Sequence, residues 1–354
     1  MNELKQEQRG GFGSENTQIV EQNNYYGLTA KDAMEMAMQL FHDNFPKLQQ
    51  EACEIVEKRI NEFTGNMFQQ LAVNGFDNYQ QFADPAVQYT LYEAQKEYAK
   101  SGDGELKEYL INVLLERMDC KSRTLKQIVL DEAISTLPKL TREQVDYLSF
   151  FFSLLRTSHS NVNNINAFVD MIKNKLINFF SKEMGDNQFY SYLQITNCVS
   201  ILTEGSTYKP IEEIFLQRYT GLFSKGFSLE ELNNELNESE EKYLPILVKC
   251  QQDNAKYQFN AMSVDVLESV IIQNNLLEDK EKIISFYKKA TMVAEDVSEY
   301  LFKIDINMEI LLNLWKKENS SIKALTLTPV GIAIAIINYN AKTGEKILLN
   351  DYLS

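Results

Sequence analysis

Only two histidines, His42 and His159, occur in this chain of 354 residues. No HExxH or HxH pattern exists, so a histidine-rich metal site is not expected. Cysteine is equally sparse. Cys53, Cys120, Cys198 and Cys250 stand far apart with no CxxC among them. That spacing fits neither a disulfide framework nor a zinc ribbon, and buried free thiols in a reducing compartment are the expectation. Six prolines and fourteen glycines are too few for a turn-rich all-β protein. Long apolar runs are missing too. The longest, Val330 to Ile337, falls far short of the ~20 residues that a spanning helix needs. The opening MNELKQEQRGGFGSENTQ has no apolar stretch of the kind a signal peptide carries. A cytoplasmic protein without membrane attachment is therefore expected.

An excess of positive charge is also missing. The net charge is −15. It divides into −2 over residues 1–28, −7 over 29–135 and −6 over 136–354. Phosphate-backbone binding normally needs a basic face, so nucleic acid is not an expected partner. The densest basic group, Lys280, Lys282, Lys288 and Lys289, is interleaved with acids. Catalytic signatures are absent as well. There is no GxSxG, and Ser158-His159-Ser160 places a hydroxyl beside an imidazole in sequence without the geometry of a nucleophile and its base. Gly10-Gly11-Phe12-Gly13 lacks the following Lys and Ser/Thr of a phosphate cradle. Gly102-Asp103-Gly104 lacks the repeated ligands of a calcium loop. No cofactor is expected. The chain reads as more non-enzyme than enzyme.

What is present is helical patterning. Thr29 with Asp32, Thr141 with Gln144, and Ser228 with Glu231 have the three-residue spacing of capping boxes. Asp84-Pro85 is an N-cap followed by proline at the first helical position. Apolar stripes at helical spacing predict helices over about 30–44, 48–73, 105–119 and 124–136, and one opened by Asp84-Pro85 that carries Val87, Leu91, Ala94 and Tyr98 before a turn at Ser101–Gly104. Beyond Leu137-Pro138 they predict helices over 141–157, 165–183, 187–197, 264–275, 279–300, 306–318 and 329–340. Leu247–Cys250 and Tyr257–Phe259 read as a hairpin, and Ala324–Leu327 as a strand. The fold class is mainly α: a multi-helix protein with small β-hairpins in its C-terminal half. The helix, strand and closing helix over 307–340 read as winged-helix-like. The divisions expected are a flexible segment over 1–28, a helical domain over 29–136, and a helical domain with small strands over 137–354.

One stretch breaks the helical pattern. Thr17, Gln18, Ile19, Val20 and Gln22 open a run rich in β-formers and amides that reaches Tyr26 with Glu21 as its one charge. Thr17 and Ile19 face one side of such a strand, Gln18 and Val20 the other. An extended segment leaves backbone groups unpaired and seeks another strand. These residues are the candidate association strand.

Four stretches carry a resemblance. They are Asn16–Ile19 before Gly27-Leu28-Thr29; Asp84-Pro85 with Gln88-Tyr89 leading to Ala94-Gln95-Lys96 and Tyr98–Asp103; Gln127–Leu130 through Pro138–Thr141; and Gly221–Phe227. With them the chain resembles, over nearly its whole length, a bacterial family known by locus-tag names and uncharacterised. A weaker similarity, to abortive-infection alpha-type proteins, rests on Leu140-Thr141 with Gln144 and on Leu327–Gly331. That similarity implies phage defence. The leading expectation is a non-catalytic interaction or regulatory protein that self-associates, its partner being itself or another protein. The rivals are an enzyme whose site is not visible in sequence and a winged-helix nucleic-acid binder.

Overall fold

The structure is a computed structural model. It describes residues 29–44, 50–118, 120, 124–159, 161–185, 187–202, 206–317 and 320–353. The candidate association strand, Thr17 to Gln22, lies outside the described residues.

Fifteen α-helices and four three-residue strands make up the described architecture, which is mainly α. In the first third, α1 (Ala30–Asn44), α2 (Gln50–Val73), α3 (Pro85–Ser101), α4 (Gly104–Met118) and α5 (Leu125–Thr136) follow one another. The sequence punctuates them. Thr29 and Asp32 exchange hydrogen bonds at the start of α1, so aspartate serves in place of the usual glutamate or glutamine. Asp84 accepts from the Ala86 N–H at the head of α3, and Gly102 closes that helix at φ 64°. Then come α6 (Arg142–Arg156), opened by the Thr141–Gln144 box, α7 (Ile165–Met171) and α8 (Asn187–Ile195).

One helix departs from its expected length in an informative way. The stretch predicted as 165–183 is α-helical only to Met171, and a π-turn then runs over Ile172–Leu176. The Lys175 carbonyl there accepts from Ser153 Oγ of α6 at 2.5 Å. A tertiary hydrogen bond thus fixes a carbonyl that regular α-geometry would use internally.

The chain continues through β1 (Val199–Ile201), α9 (Ile211–Arg218), α10 (Leu229–Leu236), β2 (Leu247–Lys249), β3 (Tyr257–Phe259), α11 (Val264–Gln273), α12 (Lys280–Ala290), α13 (Ala294–Ile304), α14 (Ile306–Lys316), β4 (Leu325–Leu327) and α15 (Pro329–Thr343). The expected hairpin of β2 and β3 forms, with Val248 opposite Gln258. The single helix expected over 279–300 is instead α12 and α13. They are separated because Met292 N–H donates to the Phe223 carbonyl and Thr291 bridges Ser224.

The winged-helix expectation over 307–340 does not describe what forms there. β4 pairs antiparallel with β1, Val199 opposite Leu327, so its partner comes from far earlier in the chain. The closing helix α15 is the centre of the protein. Its residues Val330 to Tyr339 are all buried, and it packs along α6 and α5. An apolar run with no polar face has no stable place except a core. One cluster of buried residues extends from Ala33 to Leu349 across Leu137, with the Phe residues of α6 and the isoleucines of α15 inside it. A second, smaller core joins α10, α11, α12 and the β2–β3 hairpin around Phe227, Phe259 and Phe286.

Candidate functional site

The cleft with the clearest walls opens where α2 ends. Its formation begins with Gly75, which takes φ 69° and lets the chain turn out of the helix. Phe76 N–H bonds back to the Leu71 carbonyl at 3.0 Å and Gly75 N–H to Ala72, a glycine-based helix stop. The chain then runs through Asp77 and Asn78 into a short 3₁₀ turn, Tyr79–Ala83. This turn, the end of α2, the side of α4, Leu130 of α5 and one face of α15 enclose about 600 Å³. A shallower hollow of about 490 Å³ continues it along α2 and α4, and Asn74 and Asn112 belong to both.

The floor is apolar: Leu71, Leu115, Leu130, Ile336, Ile337 and Leu349. The walls carry amides and carboxylates: Asn74, Asp77, Asn78, Gln81, Asn112 and Glu116. Among the described residues, no lysine, arginine or histidine lines either part. Some polar groups are already engaged. Glu116 is 2.7 Å from Lys126, and Glu108 lies beside Lys107 at 3.7 Å while accepting from Gln70 at 3.0 Å. Asn340 gives both ends of its amide to the backbone of Ile347. Others are not engaged. Among the described residues, no side-chain hydrogen bond is made by Asn74, Asp77, Asn78 or Asn112. The Gln81 Oε1 is buried with no partner at all. An amide's two ends exchange by a flip, so that buried end offers either an acceptor or a donor. A buried polar end without a partner costs about 1–3 kcal/mol.

The floor is held by a buried polar network. Asn338 of α15 is fully buried and accepts from the Tyr109 hydroxyl of α4 at 2.9 Å. It donates to Asp146 at 2.9 Å and to Ser149 at 2.8 Å, both on α6. Lys342 closes on Asp146 at 2.5 Å. Burial lifts the Tyr109 phenol above its ordinary range, so it stays a donor. Three helices are locked in one rotation by these contacts. That rotation sets Ile336 and Ile337 as the cleft floor.

The residues that the sequence brings forward for chemistry do not converge. His42 lies on α1 beside the Phe41 ring. His159 follows α6, its Nε2 3.4 Å from Thr157 Oγ1 and its backbone N–H donating to the Tyr219 hydroxyl oxygen. Burial, then the nearby Lys175 charge, lower the His159 pKa. Ser160 lies outside the described residues. Lys175 pairs with Glu345, which also accepts from Tyr339 at 3.1 Å, so the C-terminal stretch is tied to the π-turn. Cys198 and Cys250 are buried, while Cys53 and Cys120 are half-buried. No group of three or more His, Cys, Asp or Glu side chains among the described residues is placed to hold a metal ion. In the basic group, Lys280 pairs with Glu268 at 2.9 Å and Lys289 with Glu235 at 2.7 Å. Among the described residues no helix is long and apolar enough to cross a membrane.

Sequence reading missed the cleft. The signal was present as Asn66, Gln70 and Asn74, one amide per helical turn along α2, with Asn112 facing them from α4. Amides on a helix read as ordinary solvated surface until the neighbouring helix is known.

Fold and cleft together define a mainly α-helical protein with an amide-walled, apolar-floored groove. A family model matches residues 27–353, and the chain belongs to that family, one known by a locus-tag name and uncharacterised in function. No curated protein and no solved structure matches the chain.

Proposed function

We propose that this chain is a non-catalytic interaction or regulatory protein that self-associates. The observation behind the reading is the cleft of about 600 Å³ whose walls carry uncommitted amides. Carboxamides donate and accept hydrogen bonds at neutral pH without titrating. They are groups for recognition, whereas acid–base chemistry is built from groups whose pKa lies near the working pH. The strand-prone residues Thr17, Gln18, Ile19, Val20 and Gln22 are the association element, because an extended segment gains most by pairing its backbone groups. A role in phage defence belongs to the same reading. It rests on the weaker similarity drawn from the sequence at Leu140-Thr141 with Gln144 and at Leu327–Gly331.

Multi-angle light scattering of the full chain at micromolar concentration tests the self-association. A mass at least twice that of one chain is expected. A monomer at all concentrations would end this reading. The defence role is tested separately by phage plating on cells with and without the gene, where equal plaque counts across a diverse phage panel would remove it.

A further inference from the structure

We propose that the cleft receives the segment Thr17–Gln22 of a second copy of this chain, bound as an extended strand; the proposal rests on the self-association reading above. Four observations support it independently of that reading.

The first is chemical. A carboxamide carries a C=O and an N–H side by side, the same pair a peptide group presents. Asn74, Asn78 and Asn112 line the cleft and are uncommitted among the described residues. A peptide backbone satisfies such groups without needing any particular side chain.

The second is spacing. Asn66, Gln70 and Asn74 recur once per helical turn on α2, a rise of about 6 Å per step. In an extended strand, backbone groups that face the same way recur every second residue, about 6.6 Å apart. Over the two steps of this row the mismatch stays near ~1 Å, within the tolerance of rotating side chains. The apolar floor of Leu71, Leu130, Ile336 and Ile337 then takes one aliphatic side chain of the strand, Ile19 or Val20.

The third is charge. With Glu116 paired to Lys126 and Glu108 beside Lys107, Asp77 is the carboxylate of the walls left unpaired. Among the described residues no cation lines the cleft, which disfavours phosphate-bearing ligands. The segment is nearly neutral, with Glu21 as its single charge from Thr17 to Gly27. Such a pairing depends little on salt.

The fourth is where the chain enters. Phe41 of α1 packs in one small cluster with Ile60 of α2, while Ala37 and Thr64 share the Gln95 amide. Going backwards along α1 means going forwards along α2, so Ala30 lies level with about Leu71, on the cleft floor. Thr29, where the described residues begin, therefore stands at this end of α2, and 28 residues precede it in the sequence. A second copy related by a two-fold axis at this end presents its own row in line, and exchange uses both segments and both clefts in a closed dimer.

The test uses the full chain throughout. Three variants are compared with wild type by light scattering and circular dichroism: Ile19→Pro/Val20→Pro, Asn112→Arg, and Asn78→Arg. Asn78 lies exposed on the turn, so its change leaves the core alone. A fluorescent synthetic peptide of residues 14–28 is titrated into each by anisotropy, at low and high salt. The expected result is a wild-type dimer and monomeric variants of unchanged helicity. The proline variant, its cleft free, binds the peptide with little salt dependence, and both arginine variants bind it at least tenfold more weakly. If wild type and both arginine variants are equally dimeric, the cleft is not the acceptor and only this inference fails. If wild type is a monomer while the proline variant alone takes up peptide, the segment occupies its own chain's cleft, and the second copy is wrong. If wild type is a monomer and nothing binds the peptide, the self-association reading falls together with this one.

Discussion

Gly331 and Cys198 stand so close that a Cβ added at Gly331 would lie 1.9 Å from the Cys198 carbonyl oxygen. The contact is with backbone, which cannot rotate away. It lies where β1 begins and where Thr328, at the head of α15, binds the Asn197 and Cys198 carbonyls through Oγ1 and N–H. Gly331→Ala therefore sets two effects against each other. Alanine favours a helix interior by roughly 1 kcal/mol, while forcing a methyl into a packed contact costs about 1–3 kcal/mol or more. The clash wins here because the contact is with backbone and the residues around Gly331, from Val330 to Ala335, are all buried. The expected outcome is a net loss of up to about 2 kcal/mol, seen as a lower midpoint in urea with unchanged slope.

Asn338 is expected to matter more than its size suggests. Replacement by leucine leaves the Tyr109 hydroxyl buried without its acceptor and takes a donor from Asp146 and Ser149. The expected cost is about 2–4 kcal/mol in chemical denaturation. Adding Tyr109→Phe should recover part of it, since removing both partners is cheaper than stranding one. A coupling energy near zero in the double-mutant cycle would show that the network is not what holds α15 against α4 and α6.

His159 gives the folded state a mild acid sensitivity. Burial, aided by the Lys175 charge and opposed by Glu345, holds its pKa below the ordinary 6.5. The unfolded chain therefore takes up this proton at a higher pH than the folded chain. The stability contributed by neutral His159 is complete above about pH 6.5 and is lost as pH falls through the folded value. Melting temperatures measured from roughly pH 7.5 down to pH 5 should decline for wild type. His159→Gln should flatten that decline. A variant whose slope matches wild type would assign the pH dependence to other groups.

The four thiols should divide into two pairs. Burial pushes the Cys198 thiol up to about 11, and Cys250 is buried as well, whereas Cys53 and Cys120 are half-buried. The thiolate is the reactive form, so access and pKa act together. A thiol-disulfide reagent at mildly alkaline pH should titrate two cysteines in the native protein and all four after unfolding in urea. Mass mapping should place the early label on Cys53 and Cys120. Rapid labelling of Cys198 would mean that the β1–β4 region opens readily.

Much of this protein was determined locally and so could be read without its structure. Caps and stops depend on residues a few positions apart, which is why the Thr141–Gln144 and Ser228–Glu231 boxes and the Asp84-Pro85 start appear as expected. The hairpin of β2 and β3 is local in the same sense. The mainly α character follows from the stripes and the scarcity of proline and glycine. What only the tertiary structure decided depends on partners far away in sequence. The pairing of β4 with β1 replaced a wing because the apolar residues of α15 needed a core, and the core lay against α5 and α6. The break between α12 and α13 and the π-turn after α7 each exist because a distant group competes for a backbone hydrogen bond. The cleft belongs to the same class. Asn74 and Asn112 are ordinary helix-surface amides when taken singly, and they become a site only because packing sets the end of α2 beside α4 and closes α15 beneath them.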